Sequence, residues 1–237
     1  MKKYSNGLEF TQNDNGTCNI TGIGTCTDTN IIIPEMSPTG DKVVRIDRLY
    51  GEFQTVIIPD SITIIRRGAF RYNNNLEKII IPDSITIIEN DTFTDCSNLS
   101  MVILSNNLKF IGSNAFSGCM DLREIVIPYG VTTIAAGTFN ACYSLEKIDI
   151  PNTVEFIGEY AFSNCIKLQN ITLPDGIITV ESGIFAHCKS LQEIHIPDSV
   201  SSIAANAFDG CESLKQVSIP KSVTTIKGTK YSPDLKF

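Results

Sequence analysis

Cysteine and histidine have the widest chemical repertoire of the residue types present, and the chain has eight cysteines and two histidines. Six of the cysteines recur at a constant interval of 23 residues: Cys96, Cys119, Cys142, Cys165, Cys188 and Cys211. A zinc site needs three or four ligands that converge on one point. The chain has no Cys-x-x-Cys motif, and a constant interval arranges the thiols in a line. We therefore expect six buried, reduced thiols that act as small hydrophobic side chains, with no metal and no other cofactor.

The other candidates for chemistry have simpler structural explanations. His187 precedes Cys188, which is one requirement of a Cys–His nucleophile, but the two side chains should diverge because Cys188 belongs to the buried series. Cys18 and Cys26 lie outside that series and form a candidate disulfide pair. Four aspartates each follow a proline, where they could supply calcium ligands but are also turn formers: Asp60, Asp83, Asp175 and Asp198. The turn explanation is favoured, and we predict that the protein is not an enzyme.

The interval of 23 residues is shared by residue types without reactive chemistry. Phenylalanine follows it at Phe70, Phe93, Phe116, Phe139, Phe162, Phe185 and Phe208. Leucine follows it from Leu76 to Leu214, and proline from Pro59 to Pro220 with one exception at Ser105. A strict period of this length is typical of a solenoid, in which each repeat is one supersecondary unit stacked on the next.

One repeat runs from Leu145 to Lys167 and reads LEKIDIPNTVEFIGEYAFSNCIK, and we number its positions from the leucine. Apolar residues at positions 4 and 6 alternate with polar residues at positions 3 and 5, which indicates a β-strand. The proline at position 7 ends the strand because it has no N–H. The pattern predicts strands of a single parallel sheet at residues 31–33, 56–58, 79–81, 102–104, 125–127, 148–150, 171–173, 194–196 and 217–219.

The pattern Leu-x-x-Ile-x-Ile-Pro followed by Ala-Phe-x-x-Cys resembles the BspA-like leucine-rich repeats, and it continues in register from Phe53 to Ile226. The chain departs from it at Ser105 and Asn73, and at the alanine of three repeats. The resemblance implies a right-handed, curved leucine-rich-repeat solenoid with a parallel β-sheet on its concave face and little helix. It also implies a role in recognition or adhesion, typically on bacterial or protist surfaces. It transfers no catalytic residue.

The two ends of the chain depart from the repeat, as the open ends of a solenoid core require. Residues 8–11 and 17–21 alternate in polarity around a loop that ends in Asn-Gly, which is a hairpin signal, so we assign residues 1–27 to an N-terminal β cap. Residues 28–226 form the solenoid, with an irregular first coil. Residues 227–237 form a short C-terminal cap or a frayed tail. The strand within residues 214–220 is then an edge of the sheet.

Composition excludes several classes of partner. The net charge is −7 and the pI is about 4.9, so we expect no nucleic acid partner. No run of 18 apolar residues occurs, so we expect no membrane span. The first ten residues include two lysines but no apolar stretch, so we expect no signal peptide within this sequence. The resemblance suggests a cell-surface or secreted protein, whereas the sequence leaves the compartment unknown.

The repeats vary most informatively at positions 3 and 5, whose side chains should face outward on the concave strands. At position 5 the first four residues are apolar and the last four polar: Ile57, Ile80, Ile103, Val126, Asp149, Thr172, His195 and Ser218. Met101 at position 3 extends the apolar group, and Lys78 and Glu124 flank it. We predict a binding stripe formed by Ile57, Lys78, Ile80, Met101, Ile103, Glu124 and Val126. The alternative is that branched residues suit any strand.

These observations favour non-catalytic recognition of a protein partner through the concave sheet. One alternative is a glycan-binding surface adhesin, which is disfavoured because positions 3 and 5 carry no Phe, Tyr or Trp. Another is a structural or self-associating spacer, which would associate through the stripe or through the C-terminal edge strand.

Overall fold

The computed structural model describes residues 4–215 and 217–227. These residues form a leucine-rich-repeat solenoid of about nine turns, and they contain nineteen strands and no helix. Each turn, called a coil below, corresponds to one repeat, and equivalent positions of successive coils lie beside one another. The parallel solenoid predicted from the repeat is confirmed.

The first column of strands forms the concave face and comes from repeat positions 3 to 5. Its members are β3 (Asn30–Ile32), β5 (Thr55–Ile57), β7 (Lys78–Ile80), β9 (Met101–Ile103), β11 (Glu124–Val126), β13 (Lys147–Asp149), β15 (Asn170–Thr172) and β17 (Glu193–His195). Each of these strands pairs in parallel with a neighbouring strand, and the paired residues lie 23 or 25 positions apart in the sequence. The middle residue of every strand faces inward and is buried.

Two details of the predicted strands were wrong. Each strand begins one residue earlier than predicted and stops before position 6. In seven of the eight strands the proline at position 7 has no N–H with which to continue the ladder, whereas β9 stops at the same position although Ser105 follows it. The column is also divided into three hydrogen-bonded sheets, β3-β5-β7-β9, β11-β13 and β15-β17, rather than one. The first interruption coincides with Ser105, where the proline is missing. At residues 217–219 the structure has only a single bridge, between Ser218 and His195.

A second column of strands lies at repeat positions 12 and 13, where the sequence led us to assign none. It consists of β4 (Lys42–Ile46), β6 (Ile64–Ile65), β8 (Ile87–Ile88), β10 (Phe110–Ile111), β12 (Thr133–Ile134), β14 (Phe156–Ile157), β16 (Thr179–Val180), β18 (Ser202–Ala204) and β19 (Thr225–Lys227). These strands also pair in parallel, in three sheets. Position 13 points into the core and position 12 points outward, as Ile65 and Ile64 illustrate.

A third set of hydrogen bonds joins the coils at positions 15 to 20, although no strand forms there. The N–H groups of Gly68, Phe70 and Tyr72 donate to carbonyl oxygens of the next coil at 3.1, 3.0 and 2.9 Å. Positions 16 and 20 have positive φ, for example 63° at Gly68 and 65° at Tyr72. Every second N–H group thus points toward the next coil, whereas the N–H groups of Ala69 and Arg71 donate within their own coil, so the backbone on the turn side is also satisfied.

The core is a set of ladders that run along the solenoid. The seven repeat phenylalanines stack with ring centroids 5.2 to 5.7 Å apart and interplanar angles of 2 to 11°. These distances lie in the range that is favourable for pairs of aromatic rings. Leucine and isoleucine ladders fill the remaining interior.

The predicted N-terminal hairpin is present. β1 (Glu9–Gln12) pairs antiparallel with β2 (Thr17–Gly22), and β2 pairs in parallel with β4 of the second column. Leu8, Cys18 and Ile20 are buried against the first coils, so the hairpin covers apolar surface at this end. The predicted C-terminal cap lies almost wholly outside the described residues, and the boundaries of the three segments stay predictions.

Candidate functional site

The repeat cysteines form a hydrogen-bonded ladder, which adds to the packing role predicted for them. Each Sγ donates to the carbonyl oxygen of the phenylalanine 26 residues earlier, at 3.1 to 3.3 Å. Five of the six thiols are buried, whereas Cys211 in the last repeat is only partly buried, so the prediction of six buried thiols was wrong for Cys211. The thiol thus supplies a hydrogen bond to a carbonyl group that is otherwise shut away from water.

Asn73 replaces cysteine in this ladder and performs the same function. Its Nδ2 donates to the carbonyl oxygen of Leu49 at 2.7 Å, and its Oδ1 accepts from the N–H of Gly51 at 2.9 Å. The side chain is buried. If this position were purely apolar, asparagine would not be expected there. The asparagine in the sequence therefore indicated a hydrogen bond at this position, which the sequence analysis did not predict.

The environment of the thiols opposes reactivity. Burial raises the pKa of Cys96 from its usual value of 9.0 to about 12, and it raises the pKa of Cys165 well above that value. A thiolate is the form of cysteine that attacks electrophiles and binds metals, and it is scarce here at neutral pH. Cys18 and Cys26 are free thiols, so the candidate disulfide is not formed.

The remaining candidates for chemistry are not assembled into a site. Cys188 points inward while His187 is exposed with a φ of 62°. The four aspartates after proline are exposed, and Asp83 accepts a hydrogen bond at 2.8 Å from the N–H of Asn106 in the next coil rather than from its own turn. In the part of the chain that the structure describes, no three His, Cys, Asp or Glu side chains are grouped as metal ligands.

The apolar residues predicted for the concave face all point away from the core. Ile57, Ile80, Met101, Ile103 and Val126 are between 43 and 63% exposed. We call these five residues the concave stripe. Ile57 pairs with Ile80, and Ile80 with Ile103, so these three side chains lie directly beside one another on hydrogen-bonded strands. Of the two flanking charges, Glu124 is exposed and Lys78 is half-buried.

The concave stripe contains a depression where the first sheet ends. This depression has a volume of about 390 Å³ and lies between β9 and β11, with Met101, Ile103, Glu124 and Val126 among its lining residues. β9 and β11 are neighbours in space, but no ladder of hydrogen bonds joins them in the described chain. A second depression borders it, with a polar lining that includes Glu77, Asp121 and Arg123. Of the seven predicted residues, four therefore line this depression, and Ile57 and Ile80 continue from it along the paired strands. Lys78 lies beside them on β7.

The C-terminal half of the same face is polar. Position 5 there is occupied by Asp149, Thr172 and His195, and all three side chains are exposed. Asp149 forms an ion pair with Lys147 on its own strand at 3.1 Å. The boundary between the apolar and the polar half falls between the paired residues Val126 and Asp149.

A second group of exposed apolar residues escaped the sequence interpretation. It lies at repeat position 12, on the outward side of the second column, and consists of Ile64, Ile87, Phe110 and Phe156. These side chains are 36 to 49% exposed. We call them the position-12 row. The recurrence of apolar residues at position 12 was visible in the sequence, but without a strand assigned there it had no predicted orientation.

Comparison with known proteins identifies the family. The sequence profile described as BspA type leucine rich repeat region, in six copies, matches residues 50–145 and 132–232. A search of curated protein sequences finds no match. In the described residues, no helix has the length and apolar character needed to cross a membrane.

Solved structures of similar fold come from several bacteria. The T. pallidum leucine-rich repeat protein TpLRR is 26% identical, with 88% of each chain covered and a TM-score of 0.67. A leucine-rich repeat protein from Bacteroides ovatus is 21% identical, with 93% of this chain and 89% of that chain covered and a TM-score of 0.50. The repeat match covers most of the chain, and the ladders of Phe, Leu and Cys are those of the repeat. The chain therefore belongs to the BspA-type leucine-rich repeat family.

Proposed function

We propose that the protein recognises a protein partner through the concave stripe. Membership of a leucine-rich repeat family supports a recognition or adhesion module in general terms. The observation that carries the finer proposal is the contiguity of the stripe, in which exposed isoleucines occupy paired positions on β5, β7 and β9 next to an apolar depression. A contiguous exposed apolar patch with a charged rim is a common feature of interaction surfaces.

The fold itself does not require these residues. The same positions in the C-terminal half carry aspartate, threonine and histidine, and the strands there have buried branched inward residues and the same parallel register. Branched residues do favour strands, but the C-terminal strands form without them. The apolar residues are therefore better explained by a contact with a partner than by the needs of the sheet.

The depression suggests how the partner is held. Its lining is mainly apolar, with Glu124 at one side, and its volume is in the range that accommodates a large side chain. An aromatic or aliphatic anchor from the partner would be buried there, while Lys78 and Glu124 would orient polar groups at the rim. A glycan is less well suited, because in the described residues positions 3 and 5 of the concave strands carry no Phe, Tyr or Trp side chain for stacking. We also propose a cell-surface or secreted location, as the family suggests.

Paired variants test the proposal. Ile80→Asp with Ile103→Asp places two charges on the stripe, and Thr172→Asp with His195→Asp does the same at position 5 of the polar half. Each protein would be immobilised and cross-linked to proteins from its native surroundings, and the captured proteins would be compared by mass spectrometry. We expect a captured protein that the polar-half variant retains and the stripe variant loses. Equal capture by the two variants contradicts the proposal, and selective loss in the polar-half variant moves the site to Asp149 and His195.

A further inference from the structure

The position-12 row is a second outward-facing surface, on a different side of the coil from the concave strands. Ile87 pairs with Phe110, Phe110 with Thr133, and Thr133 with Phe156, so the row is aligned along β8, β10, β12 and β14, with Thr133 as the one polar residue between its members. Ile64 extends it by one coil at β6. Four steps of ~4.8 Å give the row a length of about 19 Å. Two exposed phenylalanines and two exposed isoleucines in this length form an apolar strip that nothing in the described chain covers.

The charges beside the row change sign from one end to the other. Residues 44–49 and 63–68, at its N-terminal end, contain four arginines and one aspartate, a net charge of +3: Arg45, Asp47, Arg48, Arg66 and Arg67. The equivalent positions of the C-terminal coils, residues 132–137, 155–160, 178–183 and 201–206, contain three charged residues, a net charge of −3: Glu155, Glu159 and Glu181. Residues 86–91 and 109–114 between them carry Glu89, Asp91 and Lys109, a net charge of −1.

Local ion pairs leave part of this charge uncompensated at both ends. Asp47 lies 2.6 Å from Nε of Arg45 and 3.8 Å from Nε of Arg66, so two arginines share one carboxylate. Arg67 is paired with Asp91 at 2.9 Å. Glu155 and Glu159 are exposed and have no ion-pair partner in the described part of the chain.

We propose that the position-12 row is a self-association surface on which a second copy of this chain docks antiparallel. Ile64 and Phe156 each lie two coils from Phe110, so a two-fold axis at Phe110 superimposes the row on itself in reverse. Ile64 of one copy then meets Phe156 of the other, and Phe110 meets its own equivalent. The arginine end of each copy faces the glutamate end of the other. A two-fold contact uses one surface twice, and it requires this kind of self-complementarity.

The parallel arrangement would place arginines against arginines and glutamates against glutamates, so charge selects the antiparallel one. Because the row is short, the contact fits a weak dimer that forms as the protein concentration rises. The dimer leaves the concave stripe of both copies open. This inference is therefore independent of the proposed partner-binding face, and either can fail without the other.

Sedimentation equilibrium over a range of protein concentrations tests the proposal. We expect a monomer–dimer equilibrium whose dissociation constant rises between about 0.1 M and 1 M salt, since the Debye length falls from ~10 to ~3 Å. Phe110→Asp should abolish the dimer, because the substitution places two like charges at the two-fold axis. The matched control is Ile80→Asp with Ile103→Asp on the concave stripe, which should leave the dissociation constant unchanged. Circular dichroism and thermal melting check that each variant is folded.

A charge exchange provides the sharper readout. Arg48→Glu with Arg66→Glu, and separately Glu155→Arg with Glu159→Arg, should each raise the dissociation constant by about tenfold or more, since each homodimer then opposes like charges. An equimolar mixture of these two variants should form a heterodimer, because each glutamate end introduced at positions 48 and 66 faces an arginine end on the other copy. A wild-type protein that is monomeric at every concentration and salt level overturns the proposal. So does a dimer that survives Phe110→Asp, a dimer lost in the concave control, or a mixture that stays monomeric.

Discussion

The N-terminal and C-terminal halves of the concave face have the same backbone arrangement, but they differ in the side chains that they expose to solvent. Inward residues are alike in both halves, as Ile79 and Ile171 show, whereas outward residues change from isoleucine to aspartate, threonine and histidine. The outward residues of these strands are therefore not what specifies the solenoid. Outward positions are free to vary, and a cluster of one residue type there reflects something other than the fold.

The largest effect should come from moving a charge by a single residue across the strand. Ile79→Asp buries an unpaired carboxylate in the core of the N-terminal half, which we expect to cost about 3–5 kcal/mol in the free energy of unfolding. Ile80→Asp places the same charge in solvent and should change that free energy by less than about 0.5 kcal/mol. Urea denaturation followed by circular dichroism measures both. If Ile80→Asp unfolds the protein and Ile79→Asp does not, the orientation of β7 is wrong.

The phenylalanine ladder tests whether the inward side is equivalent in the two halves. Phe93 and Phe185 are both buried, and each stacks on a ring above and a ring below. Truncation to alanine leaves a cavity of similar shape, so each substitution should cost about 3–5 kcal/mol. The two values, measured by urea denaturation, should agree within the error of the method. A clearly smaller cost for one of them would show that the core is looser in that half.

The buried thiols of both halves should make the free energy of unfolding depend on pH in alkali. Burial raises the pKa of Cys96 from 9.0 to about 12 and raises that of Cys165 well above 9.0. Below pH 9 the thiol is protonated in both the folded and the unfolded state, and stability is at its full value. Between pH 9 and about 12 only the unfolded state releases the proton, so stability falls as the pH rises, by about 1.4 kcal/mol per pH unit for each such thiol.

Single cysteine-to-valine variants separate the contribution of each thiol from that of other groups that titrate in alkali. Cys96→Val lies in the half with the apolar stripe and Cys165→Val in the polar half, and each should flatten the decline in unfolding free energy above pH 9 by a similar amount. Guanidinium denaturation at a series of pH values measures the slopes. A decline as steep as that of the wild-type protein in either variant contradicts the assignment of that thiol to the buried ladder.

The regularity of the repeat explains which features of the fold could be predicted from the sequence and which could not. Residues that recur in nearly every coil, such as Phe139 and Leu145, could be predicted to be buried, because a shared core is what constrains a position to one residue type. The parallel concave strands were predicted from this recurrence. The strands at positions 12 and 13 are only two residues long in most coils, too short for the alternation of polarity that identifies a strand. The interruption between β9 and β11 depends on how adjacent coils pack, and the pattern of a single repeat carries no information about that packing. The concave stripe was found because its outward direction was predicted, whereas the position-12 row required the structure.

The change that best separates the two explanations of the concave stripe should have only a small effect on stability. Ile80→Thr with Ile103→Thr keeps branched residues with high strand propensity at both positions but removes the apolar surface. If the isoleucines serve only the sheet, threonine should replace them with no loss of function, as Thr172 does in the polar half. We expect the free energy of unfolding to change by less than about 1 kcal/mol, while the captured partner is lost. Because the substitution adds no charge, a loss of binding cannot be ascribed to repulsion. Retention of the partner by the threonine variant would instead assign the isoleucines to strand propensity alone.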